Sequence, residues 1–126
     1  MPIEHIFGDC PKSHLPFSPA VKAGPFLYVS GQASVDDQGK IVPASFKEEF
    51  ERSFSNVERV LKAAGYTLKD VVKVMSYVDS AENLAEYNEL YRNVFSEPYP
   101  ARTTVVNCLK NVGIKYEVDV VAYKDY

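Results

Sequence analysis

An arginine and a glutamate stand in two short β-like runs that are otherwise dominated by apolar and β-branched residues. Arg102 follows Pro100-Ala101 and opens Arg102-Thr103-Thr104-Val105-Val106, while Glu117 lies within Ile114-Lys115-Tyr116-Glu117-Val118-Asp119-Val120-Val121. A charged side chain in a small core is costly unless it is paired or exposed. A guanidinium fork suits a ligand carboxylate, and a glutamate close by can orient a water or move a proton. Together they point to a site for a small anionic molecule. On residue type alone, the weightier reading is a structural ion pair or a solvated strand face.

Strand parity adds one constraint, because alternate residues share a face. Arg102 and Thr104 point one way, and Lys115, Glu117 and Asp119 share a face of the following run. If the two runs pair as a hairpin, Arg102 and Glu117 stand near one end of each. The alternative puts them on different subunits' sides of one cleft. Parity leaves both arrangements open.

Other chemistries lack their residues. No Gly-rich phosphate loop is present, which argues against nucleotide use. Ser30 precedes Gly31, but neither a G-x-S-x-G pattern nor a helix start follows, so a serine-hydrolase elbow is not supported. His5 and His14 fall in loop-like sequence without companions and read as solvated rather than as metal ligands. Cys10 and Cys108 are the only cysteines and have no C-x-x-C spacing, so neither a disulfide framework nor a zinc site is expected. Phe17, among Pro16, Ser18 and Pro19, is either a loop anchor in the core or an aromatic pocket wall.

The elements that must position these residues are well marked. The N-terminal part, rich in Gly and Pro, reads as loop and short edge strands. Phe26-Leu27-Tyr28-Val29-Ser30 reads as a buried strand. Asp36-Asp37-Gln38-Gly39 is a turn expected to join two strands of a hairpin. Ser45 and Glu48 form a capping-box pattern before a helix whose stripe is Phe46, Phe50, Phe54, Val57, Leu61 and Ala64, ended by Gly65 in a left-handed conformation. Asp70 to Asp79 reads as a strand. A second helix runs from near Asp79 or Ser80 to about Phe95, with Leu84, Tyr87, Tyr91, Val94 and Phe95 as its apolar face. Asn88 lies at the edge of that face, either bonded locally or shaping a pocket edge. Pro98-Tyr99-Pro100 stops the helix before the Arg102 strand, and Val112-Gly113 turns the chain into the last strand, Ile114 to Tyr123. The order predicts an α+β fold, with two helices packed on one face of a mixed or antiparallel sheet. The other sheet face needs a cover, and self-association is the economical one.

The chain has 126 residues, 25% of them charged, and a net charge of −3, as expected of one soluble globular domain. Lysines and arginines are spread without a basic stripe, which argues against a dedicated nucleic-acid binder. No apolar run approaches a membrane span and no signal-peptide pattern opens the chain, so a cytoplasmic location is expected.

Pro100-Ala101-Arg102-Thr103-Thr104-Val105, with Glu117 at the matching distance, resembles the signature of the RidA (YjgF) family. Pro16-Phe17-Ser18-Pro19-Ala20, Val29-Ser30-Gly31-Gln32, Ser55-Asn56-Val57 with Ala63-Ala64-Gly65, and Tyr87-Asn88 are similar to family blocks in order and spacing. The resemblance spans nearly the whole chain, as one domain over residues 1–126. It implies a chorismate-mutase-like α+β fold assembled as a homotrimer with ligand clefts between subunits. It also implies hydrolysis of reactive enamines and imines, such as 2-aminoacrylate, to 2-keto acids and ammonia without a cofactor. Arg102 would take the substrate carboxylate and Glu117 would handle water and proton. Backbone groups around Ser30 and Gly31, the Asn88 side chain, Phe17 and Thr104 would complete the pocket. Two positions depart from the deaminating pattern: Phe17 stands where tyrosine is frequent, and Thr104 where cysteine is frequent. They motivate an alternative, a non-catalytic trimer that binds a small carboxylate or a protein partner. A third reading, translation inhibitor or endoribonuclease, is disfavoured by the acidic balance.

Overall fold

The structure is a computed structural model that describes residues 2–125. Six strands form one mixed sheet: β1 (Ile3–Ile6), β2 (Ala20–Ala23), β3 (Phe26–Ala33), β4 (Val71–Val78), β5 (Ala101–Val106) and β6 (Tyr116–Tyr123). Their order across the sheet is β1-β2-β3-β6-β4-β5. All neighbours are antiparallel except β4 and β5, which run parallel. The connection between that parallel pair is α2 (Leu84–Val94), the helical crossover that parallel strands require.

The first helix, α1 (Phe46–Ala63), starts where the capping pattern places it. The Ser45 hydroxyl accepts from the Glu48 amide at 3.2 Å and donates to the Glu48 carboxylate at 2.9 Å. Gly65 closes the helix with φ of 83°, a conformation that glycine adopts without a Cβ penalty. Phe46, Phe50, Phe54, Val57 and Leu61 are all buried. They pack on one sheet face, where Leu27, Val29, Val74, Val78, Val118 and Val120 point inward. The Phe50 ring lies 4.8 Å from that of Tyr116 from β6, centroid to centroid, in a tilted arrangement. The stripe read from helical spacing is therefore core. Leu90 joins the inner face of α2, and Ser80 caps a short 3-10 turn (Ala81–Asn83) that leads into it.

Four local expectations change. The turn at Asp36 forms, with its carboxylate accepting from the amides of Gln38 and Lys40, but only the single bridge Val35 to Ile41 follows. Pro43 lies two residues beyond and has no amide to extend a ladder. β3 is not a buried strand: Leu27 and Val29 are inside while Phe26 and Tyr28 are exposed. His5 lies in β1 rather than in a loop, with Nδ1 3.0 Å from the Ser18 hydroxyl. The runs carrying Arg102 and Glu117 do not form a hairpin, because β4 lies between them. β6 buries Tyr116, Val118, Val120 and Ala122, so it takes a central place with a neighbour on each side.

No helix of the described residues covers the second sheet face. It carries Phe26, Tyr28, Val105 and Tyr123 exposed, alongside Met75, Tyr77, Glu117 and Asp119, which are half-buried.

Candidate functional site

Sheet register fixes where the two charged residues stand. Arg102 pairs with Val74, which points into the core, so Arg102 projects toward the helix-covered side at the sheet edge. There its Cζ lies 4.9 Å from the centre of the Tyr87 ring and 4.8 Å from that of Tyr91, both on α2. Glu117 pairs with Tyr77 and alternates with the buried Tyr116 and Val118, so it projects from the opposite, open face. The two residues are also separated by three positions along β4, about 10 Å of strand, and by two strand spacings. Within one chain they neither form an ion pair nor share a pocket. The structural ion-pair reading is excluded for this pair. Among the described residues Arg102 has no carboxylate partner at all.

The remaining candidates divide between these two places. Thr104 lies two positions after Arg102 on the same face, and its hydroxyl is 3.2 Å from the Tyr87 hydroxyl. Asn88 follows Tyr87 on α2 and is half-buried. The other group surrounds Glu117. β3 carries a bulge between Val29 and Gln32, so Ser30 and Gly31 together oppose a single residue of β6. Gly31 faces the glutamate so closely that a Cβ there would stand 2.7 Å from Glu117 Oε2. The Ser30 hydroxyl donates to the Ser18 carbonyl at 2.6 Å, and the Ser30 amide donates to the Pro19 carbonyl. These bonds tie the loop carrying the exposed Phe17 to the bulge. The Ser30 hydroxyl is thus occupied in holding the loop.

Electrostatics single out the same strand face. Burial pushes the Glu117 carboxyl above the usual carboxylate range, and the Asp119 charge adds to the rise. Asp119 is itself raised by burial, against a hydrogen bond from the Tyr77 hydroxyl at 3.0 Å that lowers it. A glutamate that holds its proton more readily than usual is a candidate for proton transfer. Sequence reasoning placed Asp119 on Glu117's face without giving it a part. It read Tyr87 and Tyr91 only as core, although their spacing of four puts both on one side of α2. A hollow of about 960 Å³ between α1 and α2, lined by Phe50, Phe54, Leu90 and Val94 among others, contains none of the candidate residues. No helix of the described residues is long and apolar enough to cross a membrane.

Comparison with known proteins bears on the family and the fold. The family model described as Endoribonuclease L-PSP matches residues 7–124. The chain belongs to the RidA (YjgF) family. A RutC family protein of Pyrococcus horikoshii is 37% identical over 124 residues, covering 97% of this chain and 98% of the relative. The crystal structure of RidA from an Antarctic Psychrobacter species is 34% identical with a TM-score of 0.87, covering 96% of this chain and 99% of that one. The structure of E. coli TdcF with bound serine is 27% identical with a TM-score of 0.85, covering 97% of this chain and 99% of that one. The mixed α+β fold expected from the element order is thereby shown. Relatives from two yeasts are named mitochondrial, so the comparisons do not carry a cytoplasmic location.

Proposed function

We propose that this RidA-family chain is a cofactor-independent deaminase of small enamine and imine carboxylates of the 2-aminoacrylate type. It works as a homotrimer whose clefts draw Arg102 from one copy and Glu117 from the next. The observation that carries the reading is the state of Arg102. Its guanidinium rests on two aromatic rings and meets no carboxylate among the described residues, so its N–H edge is available for an anion. The opposite-face placement of Arg102 and Glu117, together with the exposed aromatic face, supports a second copy as the cover. The serine held by the TdcF structure supports an amino-acid-sized ligand.

The chemistry follows from the groups present. An enamine first takes a proton at its methylene carbon and becomes the protonated imine. Water then forms a bond to the imine carbon, the C=N electron pair moves to nitrogen, and nitrogen takes a proton. The C–N bond of the resulting carbinolamine breaks, ammonia leaves, and the hydroxyl loses its proton to become the keto oxygen. Arg102 holds the carboxylate through the reaction. Glu117, with its raised proton affinity, accepts the proton of the attacking water and returns it to nitrogen. Positioning one water against a bound, already reactive imine contributes much of the acceleration.

The test is a coupled assay in which an amino-acid oxidase generates the imine in situ. Purified chain is expected to speed 2-keto acid release, and Arg102→Ala to abolish that gain. Full activity in Arg102→Ala would sink the carboxylate role. One observation favours a second reading, a carboxylate-binding trimer without turnover: Phe17 has no hydroxyl, and that of Thr104 is already engaged with Tyr87. Thermal stabilisation by 2-ketobutyrate with no acceleration of imine hydrolysis would select it.

A further inference from the structure

Arg102 owes its place to two tyrosines rather than to an acid. A guanidinium over an aromatic face is attracted by the ring's negative π surface, and its flat shape lets it stack where a lysine would not. Both rings are themselves fixed. Tyr87 is fully buried and Tyr91 is 4% exposed. Tyr91 packs at 5.9 Å from Tyr87 and 5.0 Å from Phe95, centroid to centroid. The Tyr87 hydroxyl is held at 3.2 Å by Thr104, which extends from the same strand face as Arg102. We propose that Tyr87 and Tyr91 are positioning residues, an aromatic shelf that presets the Arg102 guanidinium for a ligand carboxylate, with Thr104 locking Tyr87 in place. The inference rests on the reading of Arg102 as carboxylate anchor and adds how that anchor is held.

The physical gain is preorganisation. A long arginine side chain on an exposed edge strand samples many rotamers, and ordering it on binding weakens affinity. Contact with the two rings settles that order before the ligand arrives. The in-plane N–H donors, which carboxylates use, stay open. Thr104 acquires a part of its own in this arrangement, acting on the anchor through Tyr87 and not on the substrate. The Tyr91 hydroxyl has no hydrogen-bond partner among the described residues, and burial pushes its pKa up to about 12, so it stays a neutral phenol. The ring, not the hydroxyl, is what Arg102 uses. That separates two variants cleanly.

Calorimetric titration of the full chain with 2-ketobutyrate, with melting temperature followed in parallel, tests the shelf. Tyr91→Leu is expected to weaken binding about five- to tenfold, and Tyr91→Phe to restore wild-type affinity without melting lower. Should Tyr91→Leu fail to fold, Thr104→Val and Tyr87→Phe carry the test. Each removes one side of the same hydrogen bond, so singly and together they are expected to weaken binding by the same roughly two- to threefold. Wild-type affinity in folded Tyr91→Leu, or in all three of the Thr104 and Tyr87 variants, overturns the shelf while Arg102→Ala still loses binding. Unchanged binding in Arg102→Ala overturns the anchor beneath it.

Discussion

Gly31 and Glu117 stand so close that the glutamate occupies the space a side chain at 31 would need. A Cβ on Gly31 would fall 2.7 Å from Oε2 and 3.0 Å from the carboxyl carbon. What it meets is the tip of a movable side chain, so the backbone need not yield. Gly31→Ala is therefore expected to melt within a few degrees of wild type while swinging the Glu117 carboxylate aside. A displacement of that size lowers turnover roughly a hundredfold where the carboxylate positions the water. Imine-hydrolysis kinetics beside a thermal melt check this. Near-normal kcat in Gly31→Ala would show that the carboxylate position is unimportant.

The pH dependence of turnover carries the signature of the Glu117 and Asp119 pair. In the proposed mechanism the working base is the Glu117 carboxylate, which is lost as pH falls through its pKa. Burial and the Asp119 charge raise that pKa above the ordinary 4.5, so the acid-side fall in rate begins at higher pH than a free glutamate would give. Asp119→Asn removes the neighbouring charge and is expected to move the fall to lower pH. A pH–rate profile of the two proteins suffices to see it. An acid limb that stays in place in Asp119→Asn would assign that limb to another group.

The helices were legible in the sequence because their signals are local: a capping serine, a period of three to four, a closing glycine. Strand neighbours were not. Nothing in Arg102-Thr103-Thr104 or in Glu117 tells that β4, some 30 to 40 residues away, slots between them, since pairing follows which strand has two faces to bury. Parity correctly put Glu117 and Asp119 on one face, yet it could not orient that face relative to Arg102 without knowing the intervening strand. The same limit hid the shelf. Tyr87 and Tyr91 look like ordinary core residues until the edge strand brings a guanidinium over them.

Glu49 is fully buried, and it is a structural anchor rather than part of the site. Its two oxygens accept from the Ala44 amide, the Lys115 amide and the Lys115 ammonium at 3.1, 2.8 and 3.3 Å. These bonds fasten the segment before α1 to the start of β6, just upstream of Glu117. Glu49→Ala strands the part-buried donors and is expected to cost about 2 kcal/mol, and Glu49→Gln, which keeps one acceptor oxygen, about half of that. Urea denaturation with a constant m-value checks both. A midpoint for Glu49→Ala equal to wild type would mean that water replaces the carboxylate at no cost.

A site shared between copies makes a stronger demand than a single-variant loss. Arg102→Ala and Glu117→Gln are each expected to disable every cleft of the proposed trimer when it is uniform, because one lacks the anchor and the other the proton handler. Their defects lie on opposite sheet faces of the chain, so a mixed trimer can bring an intact Arg102 from one copy against an intact Glu117 from the other. With equal amounts unfolded together and refolded, about a quarter of the clefts draw both groups intact on random assembly. Activity is then expected to return to about a quarter of wild type, whereas the two variants refolded separately and pooled stay inactive. A site built within one chain can never be rescued this way. Persistent inactivity of the co-refolded mixture, with trimers confirmed by sedimentation, would refute the shared cleft.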